Sequence, residues 1–289
     1  MNDPRSPDHA GQGGQGGQGV VQGVVRPAHD TGLEGQPGTV LVLGATGQTG
    51  RHFVDLALAR GHPVRALARD PSKLARQHVV HRLEPDSARD PARALPAPAG
   101  ELPPGLSVRQ GSVTQPDLNL DSLVEGVEHV VCMLGDLEAQ QHQPVVAPFV
   151  RSLVPALRRH PVRTLVYQAG ALSRPPGRAL PPPLALIRRT LNRAHTGQHE
   201  DNEAVMQYLT DQAHDIAWVV HRAGIGSDGP TKGVLARSTR FPSVANFGDC
   251  AAYNYRLLTD PGAVHTSDLS RYETHRHRPT RPTSEPAPP

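Results

Sequence analysis

The segment Gly44-Ala45-Thr46-Gly47-Gln48-Thr49-Gly50-Arg51 constrains the fold more than any other part of the chain. It follows a short β-branched and leucine run, Thr39–Leu43, and leads into Thr49–Arg60, where Phe53, Leu56 and Leu58 are apolar at helical spacing. Its glycines have the spacing G-x-x-G-x-x-G. Gly44 can make the tight turn off a strand. Gly47 lacks a Cβ, so a pyrophosphate can approach the backbone, and Gly50 lets the helix pack close to the sheet. The helix N-terminus offers N–H groups and a partial positive charge, and Thr46, Gln48 and Thr49 can add side-chain hydrogen bonds. Strand before and helix after is the context that dinucleotide binding requires. A purely structural turn is the alternative.

A second strand, Val64–Ala68, ends at Arg69-Asp70. An acidic residue about 20 positions beyond the loop would bind the ribose hydroxyl of NAD, whereas an arginine suits the 2′-phosphate of NADP. Arg69 stands at that point and Lys73 follows one turn on. Asp70 precedes Pro71, where it could equally cap a short helix. The expectation is NADP(H), with NAD(H) as the second choice. The bland reading of Arg69 is a solvated cation at a strand end.

The rest of the chain keeps the rhythm. Leu74 and its neighbours suggest a short helix and Leu106–Arg109 a weak third strand. Asp117–Val127 reads as helix, Val130–Leu134 as a buried strand and Val146–Arg159 as an amphipathic helix. Thr164–Tyr167 reads as strand, His199–Gln212 as helix and Ile216–His221 as strand. Strands alternating with helices imply βαβ units, and continuous apolar strands suit a sheet covered on both faces. The expected fold is α/β, a Rossmann-type doubly wound and mostly parallel sheet with flanking helices, over residues 38–270.

The composition agrees once its bias is located. About a fifth of the 289 residues are glycine or proline, and aromatics make only 3 %. The excess sits in residues 1–37, with the run GQGGQGGQG, in a proline-rich stretch at 81–105, in a loop at Ser173–Pro183 and in residues 271–289. The two ends are expected to be disordered, because they cannot bury enough apolar surface to offset their chain entropy. The stretch at 81–105 reads as a surface insertion.

Several classes are excluded. No stretch approaches the roughly 18 apolar residues of a membrane span, and Met1–Pro7 lacks the apolar core of a signal peptide. Cys132 and Cys250 are too few for a disulfide framework. The expected setting is the reduced interior of the cell, the cytoplasm. A net charge of +3 does not argue for nucleic acid. His275-Arg276-His277 reads as a solvated basic tail, so no metal is expected.

With these residues in place, GATGQTGR followed by VRALARDPSKL resembles the atypical short-chain dehydrogenase/reductase families, above all the flavin reductase (biliverdin-IXβ reductase) and NmrA-like branch. The likeness continues through Gln110–Thr114, Val124–Gly135 and Trp218–Asp228, and through Phe241–Asp260 with Asp249 at the helix opening. The resemblance implies that Gly44, Thr46, Gly47, Gln48, Thr49 and Gly50 hold the pyrophosphate and that Arg69 and Lys73 meet the 2′-phosphate. It further implies Ser112 and Val113 near the adenine, and Leu134 and Gly135 near the nicotinamide-side ribose. The chain departs from the pattern at Ser112, where Asp is usual, at Ala169 and Gly170, where hydroxyls are common, and at Arg222-Ala223, where a proline is common.

None of the five tyrosines has a lysine four residues on, so the Tyr-x-x-x-Lys proton-transfer pair is excluded. In the flavin reductase branch, hydride passes directly to an acceptor stacked on the nicotinamide, and the proton can come from solvent. The protein orients and excludes water, so no catalytic residue can be named. Cys132 reads as a buried thiol, and His199-Glu200-x-x-Glu203 lacks a zinc-ligand pattern. Gln168 and Arg222, at strand ends, are substrate-side candidates. The expected function is an NADPH-dependent reductase acting on a flavin, quinone or related small planar acceptor. The alternative is a non-catalytic dinucleotide-sensing regulatory protein, with the insertion or tails as its partner-binding segments. Substrate and oligomeric state are not readable from the sequence.

Overall fold

The computed structural model describes residues 37–75, 102–190 and 193–273. In chain order the elements are β1 (Thr39–Leu43), α1 (Gln48–Ala59), β2 (Val64–Ala68), β3 (Leu106–Gln110), α2 (Leu120–Val124), β4 (Val127–Cys132), α3 (Leu137–His142), α4 (Val146–Arg159) and β5 (Thr164–Gly170). They continue with α5 (Pro182–Thr190), α6 (Thr196–Gln212), β6 (Trp218–Ala223), β7 (Ile225–Ser227), β8 (Leu235–Ser238), β9 (Ala245–Asn246), α7 (Phe247–Leu257) and β10 (Ser267–Tyr272). A further helical stretch covers 71–75.

Eight strands form one sheet in the order β3-β2-β1-β4-β5-β6-β10-β8, and the short strands β7 and β9 pair with each other. All pairings in the large sheet are parallel except β10 with β8. The expected doubly wound α/β architecture is thus the one observed. Strand direction and the double covering follow from the residues. Leu41 and Leu43 point to one face, where they pack with Phe149 and Leu153 of α4 and Met206 and Leu209 of α6. Val40 and Val42 point to the other, against Phe53 of α1 and Tyr253 of α7. A strand whose alternate residues are buried on opposite faces has no polar side, so its sequence reads as a continuous apolar run. Cys132 belongs to the first core and Cys250 to the second, and both thiols are free and buried.

The chain builds outward from β1 through β2 to β3, then returns to the opposite side of β1 with β4. This reversal opens a crevice at the carboxyl ends of the strands. Register makes those ends level: Leu43 faces both Leu67 and Cys132, and Ala68 faces Gln110.

Some sequence expectations are corrected. The helix expected over Asp117–Val127 is only α2, because Gly126 leaves it at φ +69 and Val127 already belongs to β4. β4 ends at Cys132 rather than Leu134. Pro182, expected in a loop, opens α5, a position where the missing N–H costs nothing. Arg271 and Tyr272, expected in a disordered tail, are paired with Ala236 and Leu235. Leu102–Gly105, expected in the insertion, are described, and Leu102 packs on the second core. The remaining expectations for 1–36, 76–101 and 274–289 lie outside the described residues.

Candidate functional site

The glycine loop makes the turn at Gly44 and the close helix packing at Gly50 that its spacing implied. Gly44 turns the chain off β1 at φ +89, and a Cβ there would stand 2.6 Å from the Met133 carbonyl oxygen. Only glycine permits both that backbone conformation and the approach of the β4 loop. A Cβ on Gly50 would collide with the Gly44 carbonyl, so the first turn of α1 is pressed onto the loop. Gly47 is exposed and donates its N–H to the Gly44 carbonyl at 2.9 Å. As the residue preceding α1 it supplies no side-chain cap, and the first turn of α1 has no acidic residue. An anion is the natural complement of such a terminus.

A cleft of about 340 Å³ opens beside this loop. Eight of the predicted cofactor residues line it: Gly44, Thr46 and Gly47 from the loop, Arg69 after β2, Ser112 and Val113 after β3, and Leu134 and Gly135 after β4. Gln48, Thr49, Gly50 and Lys73 do not. Gln48 and Gly50 belong to the first turn of α1, and Lys73 is exposed on the 71–75 helical stretch. The volume falls at the lower end of ordinary ligand sites.

Asp70 accepts from the Ser72 backbone N–H at 3.0 Å and from its hydroxyl at 2.6 Å. It therefore serves the turn it precedes. Arg69 is exposed at the cleft and lies 3.6 Å from Asp136. The Ser112 and Thr114 hydroxyls are 2.9 Å apart in a tight turn after β3.

Gln168 and Arg222, the substrate-side candidates, both have partners within the chain. The Arg222 guanidinium is buried and donates to the carbonyls of Ser173 at 3.0 Å and Ala171 at 3.1 Å, so it holds the loop after β5. Burial pushes it down to about 10, with the nearby Arg178 charge adding to the effect. Gln168 lies in a chain of polar groups crossing the sheet edge. Its amide donates to the Thr49 hydroxyl at 3.4 Å and its carbonyl accepts from Asn254 at 2.7 Å. Asn254 in turn accepts from His221 Nδ1 at 2.7 Å, and His221 Nε2 accepts from the Ser270 hydroxyl at 2.8 Å. The amide orientations assign this tautomer. The donors all run one way, from Ser270 to Thr49, which leaves the Thr49 proton to donate onward at the start of α1. Burial holds the His221 imidazole down to about 4, so it is neutral there.

A second polar cluster lies under the loop after β5. Ala169 and Gly170 carry no hydroxyl, but the chain turns there, with the Ser173 N–H on the Gly170 carbonyl at 3.0 Å. This brings the Ser173 hydroxyl to 3.9 Å from where a Gly170 Cβ would be. Asn202 donates to Ser173 Oγ at 3.2 Å, Tyr167 donates to Asn202, and His199 Nδ1 is 3.5 Å from Ser173 Oγ. Burial, and then the Arg188 charge, push His199 down to about 4. Sequence reading missed Ser173 because its place depends on a turn and not on strand register. It also missed Asp136, whose position directly before the run LEAQQH is a helix-capping signal; its carboxylate accepts from the Ala139 N–H at 3.1 Å. Among the described residues there is no helix long and apolar enough to cross a membrane and no cluster of metal-ligating side chains.

Residues 36–150 match the model of the NmrA-like family. Over these residues the chain is similar to that family. The matched segment contains all twelve predicted cofactor residues, while Gln168, Ser173, His199 and Arg222 lie beyond it. No curated protein matches in a sequence search. Among solved structures, a Lactobacillus casei protein superposes at TM-score 0.59 with 21 % identity, over 82 % of this chain and 100 % of the other. ChuY, an anaerobillin reductase from Escherichia coli O157:H7, does so at 0.55 and 14 %, over 86 % and 100 %. A candidate NADH-flavin reductase from Streptococcus pneumoniae does so at 0.54 and 14 %, over 82 % and 100 %. At these identities the likeness of the chain to its structural neighbours is one of fold, and function has to be argued from the site.

Proposed function

We propose that the protein is an NADPH-dependent reductase that passes hydride to a flavin, quinone or related small planar acceptor. The reading rests on one observation above all: an uncapped helix start, a backbone-exposing glycine loop and the Arg69 guanidinium are gathered around a single cleft. The first-turn N–H groups of α1 would hold the pyrophosphate, and Arg69 would meet a 2′-phosphate. Asp70, turned to its own helix, is not offered to a ribose hydroxyl. Thr49 would be aimed by Gln168 and, behind it, by Asn254 and His221. When bound, the reduced nicotinamide supplies the hydride. The chain supplies no Tyr-x-x-x-Lys pair, and the accompanying proton comes from solvent. The neighbouring flavin and anaerobillin reductases support a reductase reading without defining the acceptor.

The test is to follow the loss of NADPH absorbance with FMN and a panel of quinones. Acceptor-dependent turnover is expected. Tight NADPH binding with no turnover on any acceptor would favour the regulatory alternative, for which the absence of hydroxyls at Ala169 and Gly170 speaks.

A further inference from the structure

A cavity of about 440 Å³ outside the dinucleotide cleft lies between the loop after β5, α5 and the start of α6. Its apolar floor includes Leu180 and Ala185. Its polar lining is Arg174, Arg188, Arg189, Arg193 and Thr196, with no acidic residue among the lining groups. Glu203 is the carboxylate within reach, and it is already shared: Arg174 bonds it at 3.0 Å and Arg188 forms an ion pair with it. Arg188 also donates to the Leu172 carbonyl at 3.1 Å. Arg189 and Arg193 are exposed and have no ion-pair partner among the described residues. Glu203 balances one of the four guanidinium charges and leaves the cavity net positive, and planar guanidinium forks match phosphate and carboxylate oxygens. Thr196 opens α6, a helix of 17 residues, so the positive end of that helix borders the same space.

One turn of chain connects the lining of this cavity to the rim of the dinucleotide cleft. Arg193 and Thr196 face the cavity, while the same turn of chain meets the cleft rim. The Gln198 amide is 3.1 Å from where a Gly135 Cβ would be, and Gly197 is pressed on the Gln140 carbonyl so closely that no Cβ would fit. Residues 193–198 therefore lie between the two sets of lining residues.

We propose that this cavity binds an anionic arm, phosphate or carboxylate, carried by the planar acceptor, and so selects charged acceptors over neutral ones. The inference rests on the reductase reading for the acceptor's ring, and on the arginine cavity alone for its charge. Arg188 and Arg174, fixed by Glu203, form the inner wall, and Arg189 and Arg193 close on the arm from outside.

Two matched pairs of probes test it: FMN against riboflavin for a phosphate arm, and a naphthoquinone with and without a carboxylate substituent for a carboxylate arm. Each is measured for turnover with NADPH and, separately, for direct binding by fluorescence or calorimetry. The wild type is expected to prefer the charged member of at least one pair by tenfold or more, mainly in KM. Which pair shows the preference identifies the arm. Arg189→Ala/Arg193→Ala should bring that ratio near one without changing NADPH affinity. Arg193→Glu should lower it further, and Arg189→Lys/Arg193→Lys should keep part of it. Arginine-dependent binding of the charged probe without turnover upholds the cavity and overturns the reductase reading. Equal binding and equal KM within both pairs overturns the cavity.

Discussion

The Arg69 guanidinium stands 3.6 Å from the Asp136 carboxylate, so the cation proposed to meet a 2′-phosphate is already paired across the cleft with the residue that caps α3. The two groups come from the ends of β2 and β4, on either side of β1. A ligand phosphate must displace Asp136 or share Arg69 with it. Exposed ion pairs contribute about 0.2–1 kcal/mol, so the competition is weak. Asp136→Asn keeps a helix-capping side chain and frees Arg69. NADPH is expected to bind ~2–5-fold more tightly to this variant, with NADH unchanged. Arg69→Ala should weaken NADPH by tenfold or more and leave NADH nearly untouched. Fluorescence titration of both nucleotides checks this; a parallel change in the two would show that Arg69 does not select.

Gly50→Ala should be damaging although alanine is the better helix former. Its methyl group collides with the Gly44 carbonyl, and that atom belongs to backbone that cannot move without disturbing Met133. A loss of about 1–3 kcal/mol of stability is expected, as for other overpacked sites, together with loss of nucleotide binding. Denaturant unfolding with and without NADPH separates the two effects. Normal binding in a folded Gly50→Ala protein would refute the close packing.

Stability should fall as the pH drops from about 6.5 toward 4. His221 and His199 are both held down to about 4 by burial, whereas an unfolded imidazole protonates near 6.5. Between those values the unfolded chain binds protons that the folded chain refuses, so the stability present above pH 6.5 drains away on acidification. His221, fully enclosed, accounts for on the order of 3 kcal/mol of this. Urea unfolding at pH 7 and pH 4.5 measures the difference, and NMR should show the His221 ring neutral at pH 5. A flat stability across this range would contradict the buried neutral state.

Tyr167→Phe should cost about 1–3 kcal/mol while leaving the apolar packing unchanged. It removes the donor to Asn202 in a site with no water access, and an unsatisfied buried acceptor carries the desolvation penalty. Adding Asn202→Leu to Tyr167→Phe should recover part of the loss, because the orphaned group goes with it. Thermal unfolding of the single and double variants decides this.

The fold was legible where residues act locally. Thr39–Leu43 and Val64–Ala68 coincide with β1 and β2, and Val146–Arg159 coincides with α4, because apolar periodicity and burial there say the same thing. The shape of the loop was legible where backbone geometry demands glycine, at Gly44 and Gly50. The rest was not legible where polar residues are buried and satisfied by distant partners. β10 reads SDLSRY, which has no strand signature, yet Ser270 is paired with His221 and Asp268 with Arg237 at 2.6 Å. The partners of Arg222 were hidden for the same reason. A charged residue at a strand end suggests a ligand, but its partners are the Ala171 and Ser173 carbonyls, about 50 residues away in sequence.

The two cysteines give the molecule a pair of internal clocks. Cys132 lies in the core between the sheet and α4/α6, Cys250 in the core between the sheet and α1/α7, and burial pushes both thiols up to about 12. Neither can react with an alkylating reagent until its own layer parts from the sheet. The rate at which each is labelled therefore times the opening of one side, and a difference between the two would reveal which half of the sandwich lets go first.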